Sequence, residues 1–154
     1  MENTVFLAFI YEFHVSRDYF ECHEIGEELW GDTAGHPPSK DNCYVVLLQF
    51  AVALYHWRRG NSLGARSIMV DLPQNIISVR TQITALGIDL VAFEQLLESL
   101  CIKLSTGAAY YDVDIPMTPE LAQACSKEFN IAIDNFSKPS DFANELLIDR
   151  HLYI

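Results

Sequence analysis

Three ionisable residues at helical spacing, His23, Glu24 and Glu27, stand inside the stretch YFECHEIGEELW that runs from Tyr19 to Trp30. At about 100° per residue, His23 and Glu27 lie one turn apart on one side of a helix, so an imidazole nitrogen and a carboxylate can be offered to the same cation. The HExxE pattern is that of a zinc-hydrolase helix with its second histidine replaced by glutamate. His56 as a third ligand would complete a His₂Glu set for zinc or another divalent ion, with Glu24 as base for a bound water. Tyr19, Phe20 and Trp30 fall within about 60° of His23 on the wheel, which marks that face as inward. A buried polar group without a partner costs on the order of a few kcal/mol, so His23 and Glu27 are expected to meet complementary groups from elsewhere in the chain.

The expected complement is Gln49 and His56, the only strongly polar members of CYVVLLQFAVALYHW, residues 43 to 57. They are seven positions apart and hence within about 20° of each other on one face. Three readings follow. In the first, His23, Glu27, Gln49 and His56 form a buried hydrogen-bonded network that fixes the register of two helices, with the Trp30 indole N–H donating to it. In the second, the same groups, with Glu24, Asn61, Tyr19, Trp30 and Trp57, line a pocket for a small ligand or a protein segment, and Arg58 and Arg59 draw an anion to its mouth. The third is the metal-dependent hydrolase. A straight hairpin pivoting near residue 35 sets Gln49 level with His23 and His56 about 10 Å further along, which counts against the third. Structure or binding is the leading reading, and the hydrolase is the alternative.

The elements that must hold these groups are helical. Asn3 caps a first helix from about Thr4 to Phe13, Ser16 caps the second, and Gly31 ends it. A loop holding Pro37 and Pro38 reverses the chain, and Ser39 or Asp41 caps the third helix, which is apolar nearly all round and therefore enclosed by neighbours. Gly60 ends it, and Asn61 or Ser62 caps a fourth helix in which Gly64 and Ala65 permit close packing. Pro73 kinks or restarts that helix before Gly87 stops it, and Asp89 caps a fifth that Gly107 closes. Residues 108 to 116 read as extended, Thr118-Pro119-Glu120 opens another helix, and Ser140 caps a short last one. The expected fold is an all-α bundle of about five main helices over residues 1–107, with a partly helical C-terminal extension, 108–154, packed on it.

The pattern Phe20-Glu21-x-His23-Glu24-x-x-Glu27-Glu28-x-Trp30, then Gln49-x-Ala51-x-Ala53-x-x-His56, then Gly60-Asn61-x-x-Gly64-Ala65, resembles the small all-helical family known as domain of unknown function DUF309. The likeness spans roughly residues 5 to 105 and implies an all-α bundle with no established activity. Gly26 departs from it, since a bulky apolar residue is more usual there; the departure implies that a neighbouring group comes closer to His23.

The net charge of −11 repels phosphate backbones, and the only tight basic cluster is Arg58 and Arg59, so nucleic acid and anionic membranes are not expected partners. Cys22, Cys43, Cys101 and Cys125 form no CxxC pair and read as reduced thiols, which points to the cytoplasm. The start of the chain shows no basic leader, and the apolar run from Cys43 to Trp57 falls short of the roughly 20 residues that span a bilayer. Ser16, Ser39 and Ser62 read as caps, and Asp112 and Asp114 as solvated edge carboxylates. His14, His36 and His151 are expected to be exposed. A homodimer through an apolar helix face is the expected self-association.

Overall fold

In the computed structural model, which describes residues 3–33, 35 and 39–150, the chain is all-α. The Asn3 side chain accepts from Phe6 N–H at 3.1 Å and opens α1, Thr4–Tyr11. The chain then widens into a π turn, Glu12–Ser16, which ends at Arg17 in the left-handed region (φ 55°). Asp18, not Ser16, starts α2, Tyr19–Thr33, by accepting from Glu21 N–H at 3.1 Å, and the helix continues two residues beyond Gly31. Asn42, not Ser39 or Asp41, caps α3, Cys43–Arg58, and Asn61 caps α4, Ser62–Met69. Pro73 sits in the first turn of a new short helix, α5, Leu72–Asn75, where its missing N–H costs nothing. A 3₁₀ turn, Ile77–Val79, leads into α6, Arg80–Ala85, and Asp89 caps α7, Leu90–Ser105. After an extended passage come α8, Pro119–Phe129, and α9, Glu145–Ile148, the latter capped by Asn144 rather than Ser140. Among the described residues there is no strand, only the isolated bridge of Ile88 with Met117. Pro37, Pro38, His36 and His151 lie outside the described residues.

The apolar sequence of α3 has the consequence expected of it. Twelve of its sixteen residues are buried, chiefly between α2 and α4. The four that are not, Val45, Gln49, Val52 and His56, are spaced four, three and four apart and form one stripe. Against the other side of α3, α2 lays Tyr19, Cys22, Gly26 and Leu29. Gly26 is the point of closest approach, since a Cβ there would stand 2.6 Å from Leu48 Cβ. The group that the missing side chain admits is thus Leu48 of α3, not a partner for His23.

The C-terminal extension is held to the helices by two buried arginines, Arg17, which the sequence did not flag, and Arg58, which was expected at a pocket mouth. Arg17, 2% exposed, donates from Nε to Lys138 O (2.7 Å), from Nη1 to Val113 O (2.6 Å), and from Nη2 to Asp114 Oδ1 (2.7 Å) and Ser137 Oγ (3.0 Å). Arg58, 5% exposed, donates from Nη1 to Arg17 O (2.6 Å) and Ser140 Oγ (3.1 Å), and from Nη2 to Leu147 O (3.1 Å). Its guanidinium lies 4.4 Å from the centre of the Tyr19 ring, a cation over an aromatic face. Tyr110 donates its one hydroxyl proton to Asp112 Oδ1 at 2.6 Å, so Tyr19 is the donor in the 2.6 Å contact between the two phenols. Burial pushes the Asp112 carboxyl up, but hydrogen bonds from the Ser140 and Tyr110 hydroxyls and the Ser140 N–H more than offset it, and its pKa lies below the ordinary value. Asp112 and Asp114 are therefore anchors rather than free edge carboxylates.

His14 is also a correction. It is 1% exposed, with Nδ1 2.8 Å from Ile10 O and Nε2 accepting from Ile115 N–H at 3.0 Å. Only the neutral ring protonated on Nδ1 satisfies both contacts. Burial lowers its pKa, and Arg17 adds to that, against the Ile10 bond and the nearby Asp114 carboxylate.

Two measurements check this packing. Gly26→Ala gains helix propensity of about 1 kcal/mol but meets Leu48; the overpacking prevails, for a net loss of about 1–2 kcal/mol by denaturant titration. Gly31→Ala, which meets nothing within 4 Å, should stabilise by about 0.5–1 kcal/mol. For His14, the folded pKa lies below the unfolded one, so the unfolded chain takes up the proton first. Its contribution is therefore complete above about pH 6.5 and declines as pH falls through that value. The stability gap between the parent and His14→Gln, read from melting curves at pH 7.5, 6.5 and 5.5, should shrink with acidification; a constant gap contradicts the assignment.

Candidate functional site

Helical phase decides where the residues of α2 point. With Cys22 and Gly26 central to its buried stripe, His23 and Glu27 each follow a buried residue and so lie about 100° round the helix from it. The His23 side chain is 30% exposed, and those of Glu24 and Glu27 are 52% and 54% exposed. Glu27 is thus exposed where an inward position was expected, and His23 is half-buried rather than buried. Phe20 and Trp30 stand at the margin of the buried face, not at its centre. Trp30 gives its indole N–H to Ser39 O at 2.8 Å and not to a polar network. No buried cluster of His23, Glu27, Gln49 and His56 exists; Glu27 is exposed, and the other three are half-buried at the surface.

Three of these residues are nevertheless brought together. The register set by Gly26 against Leu48 places His23, one turn back along α2, beside Val52, one turn on along α3. There His23 and Val52 are common to two adjoining clefts. One, of about 210 Å³, is bounded by Tyr19, Phe20, His23, Val52, Tyr55 and His56. The other, of about 340 Å³, adds Leu48, Gln49, Ser67, Ile68, Asp71 and Asn75. A third cleft, of about 440 Å³, shares Gln49 and Asn75 with the second and extends to Val45, Lys40 and Asp41. The three together form one groove. Its floor is the stripe of α3; α2 walls the apolar end, α5 and the residues before α3 wall the Val45 end, and only the middle cleft is bounded by α2 on one side and by α4 and α5 on the other. From Val45 to His56 the floor is about 16 Å long at 1.5 Å per residue.

The polar groups of the groove are arranged locally. His23 Nδ1 is 3.3 Å from Glu24 Oε1 and Nε2 is 3.2 Å from Glu27 Oε1, so both ring nitrogens face carboxylates of their own helix. Asn61 Nδ2 is 3.3 Å from His56 Nδ1, while its Oδ1 caps α4 by accepting from Gly64 N–H at 3.1 Å. Among the described residues, no three His, Cys, Asp or Glu side chains are gathered as metal ligands, so His23, Glu27 and His56 do not form the anticipated set. Glu24 does not line the clefts, which leaves it without the catalytic position proposed for it.

The apolar end of the groove is built with help from the extension. Arg150 lies 5.4 Å from the centre of the Phe20 ring and pairs with Asp18 at 3.1 Å and Glu21 at 3.7 Å. Arg59 pairs with Asp149 at 2.9 Å, and its guanidinium stands 6.0 Å from the centre of the Tyr55 ring. Arg58 is committed to the buried contacts given above, so neither arginine of the pair is free to draw an anion to the mouth. Burial raises the pKa of the Tyr19 phenol and keeps it protonated, which suits its donor role toward Tyr110. Trp57, expected in a pocket, is 3% exposed and donates its indole N–H to Ala108 O at 3.0 Å. The sequence signal that was missed is Val45 and Val52, which with Gln49 and His56 complete the open stripe.

Residues 6–68, which include most of α1, all of α2 and α3 and most of α4, match the family described as Domain of unknown function (DUF309). The chain is 36% identical over 153 residues to the "Uncharacterized protein YpuF" of Bacillus subtilis (strain 168), covering 98% of this chain and 86% of that protein. No solved structure matches. With the sequence motifs of α2 to α4 and the likeness along nearly its whole length, the chain belongs to the DUF309 family.

Proposed function

We propose that the chain is a non-catalytic interaction module whose groove over α3 receives a segment of another protein. The carrying observation is that α3, buried on every other side, shows a single stripe, Val45, Gln49, Val52 and His56, at the bottom of three adjoining clefts. An apolar helix gains by being covered, and two valines on its open stripe mark the place where cover is missing. Arrangement favours a protein segment over a metabolite. Small-molecule sites are commonly single enclosures, whereas these clefts, of about 210, 340 and 440 Å³, follow one another in line along one helix. That geometry suits successive side chains of one chain. As part of the same reading we assign the protein to the cytoplasm, a reducing compartment compatible with its four free cysteines.

A photo-crosslinking residue placed at Gln49 or Val52 tests this. In cells it should join the protein to a defined segment of a partner, identified by mass spectrometry, whereas the same residue at Ile102, 63% exposed on α7, should not. Val52→Arg should abolish the adduct at Gln49 while changing stability by no more than about 0.5 kcal/mol. Adducts at Ile102 alone, or adducts at Gln49 indifferent to Val52→Arg, would overturn the reading.

A further inference from the structure

Taking the groove reading as its basis, we infer that the occupant is an amphipathic α-helix of about three turns bearing basic residues beside its apolar face. Spacing carries the first half of the inference. Each cleft advances by three or four residues of α3: Val45 to Gln49, Gln49 to Val52, and Val52 to His56. That is about one turn, 5.4 Å, and matches the i, i+3 or i+4, i+7 anchors of a docked helix; same-side residues of an extended strand recur at about 6.6 Å. The walls are themselves helices, and among the described residues no strand offers an edge for β-augmentation.

Charge carries the second half. Asp71 lines the middle cleft, Asp41 lines the polar end beside Lys40, and Glu27, exposed beyond the cleft edge, pairs with the wall residue His23, while Arg59 and Arg150 at the apolar end are each paired with carboxylates of the chain itself. The chain as a whole carries −11. A segment with lysines or arginines flanking its apolar stripe is attracted to this rim, and an acidic one is repelled. The ends of the groove also differ. Tyr19, Phe20, Val52 and Tyr55 form an apolar end that fits the largest apolar anchor, whereas Lys40, Asp41, Gln74 and Ser78 form a polar end.

The test uses the full chain, isotopically labelled, and three synthetic peptides of fourteen or so residues. One is a leucine and lysine peptide with leucines at helical spacing. The second has glutamate for every lysine, and the third carries two central prolines in the lysine version. The lysine peptide should shift the amide resonances of His23, Gln49 and Val52 and bind about tenfold or more tighter than either of the others. Its affinity should fall as salt is raised, and Glu27→Lys with Asp71→Lys should weaken it by a similar factor. Asp71 makes no side-chain cap bond to α5, so its replacement removes no cap. Equal binding of the glutamate peptide would overturn the basic character, and equal binding of the proline peptide would overturn the helix. Either result leaves the groove reading intact. Shifts confined to other faces and unaffected by Val52→Arg would remove both.

Discussion

A sixteen-residue helix with buried residues at twelve positions cannot stand in water, and the rest of the molecule is arranged around covering it. Each large side chain taken fully out of solvent contributes about 1.5–3 kcal/mol, so an uncovered face of α3 would cost more than any single surface contact returns. α2 covers one flank with Tyr19, Cys22, Gly26 and Leu29, and α4 covers the other with Ala65 and Met69. The approach of α2 is set by the one residue that has no side chain. At Gly26 the helices meet backbone against Leu48, and that contact fixes which residues of α2 border the open stripe. The groove is therefore a remainder: the part of the α3 surface that neither flanking helix reaches.

Burying two guanidinium groups works against this economy of apolar cover, and the geometry shows why it is tolerated. An ion moved into a protein interior carries a penalty of several kcal/mol, while a hydrogen bond to a charged group returns about 1.5–3 kcal/mol. Arg17 makes four such bonds, one of them to an ionised carboxylate, which is enough to offset the cost. Arg58 makes three and adds the Tyr19 ring, although its Nε has no hydrogen-bond partner. Three of the seven acceptors, Val113 O, Lys138 O and Leu147 O, are backbone carbonyls of the chain beyond residue 112, and a buried carbonyl needs a partner. The arginines thus meet a second need, since they pair the exposed backbone of the extension while fastening it to α2 and α3.

The sequence disclosed the elements better than their phase. Glycines, prolines and capping residues marked most helix ends to within a residue or two, because those signals are local: Asn3, Asn61, Asp89 and Thr118 cap where they were expected to, whereas the last helix starts after Asn144, four residues beyond Ser140. The orientation of α2 was misjudged because its large aromatic residues were taken to define the inward face. Phe20 and Trp30 instead sit at the edge, and the true stripe, Tyr19, Cys22, Gly26 and Leu29, is spaced three, four and three apart and carries two small residues. Small residues give a weak hydrophobic signal and yet mark close packing. His14, Arg17 and Arg58 were not legible for a different reason. Apart from the His14 bond to Ile10, their partners lie 41 to 121 residues away, and a polar residue near a helix end reads as solvated unless those distant carbonyls are known.

The groove and the buried arginines meet at Tyr19. Its ring lines the apolar cleft and lies under Arg58, while its hydroxyl donates to Tyr110 and so reaches Asp112 and Ser140. Phe20 likewise faces the cleft and lies under Arg150. The floor and the α2 wall fall within residues 6–68, the part matched by the family description, but most of the α5 side lies beyond it and the setting of the apolar end is supplied by residues 110 to 150. Tyr19 and Phe20 are thus the two side chains that border the apolar cleft and touch the extension at once, Tyr19 through the Tyr110 hydroxyl and Phe20 through Arg150, so the shape of that cleft rests on contacts made beyond residue 107.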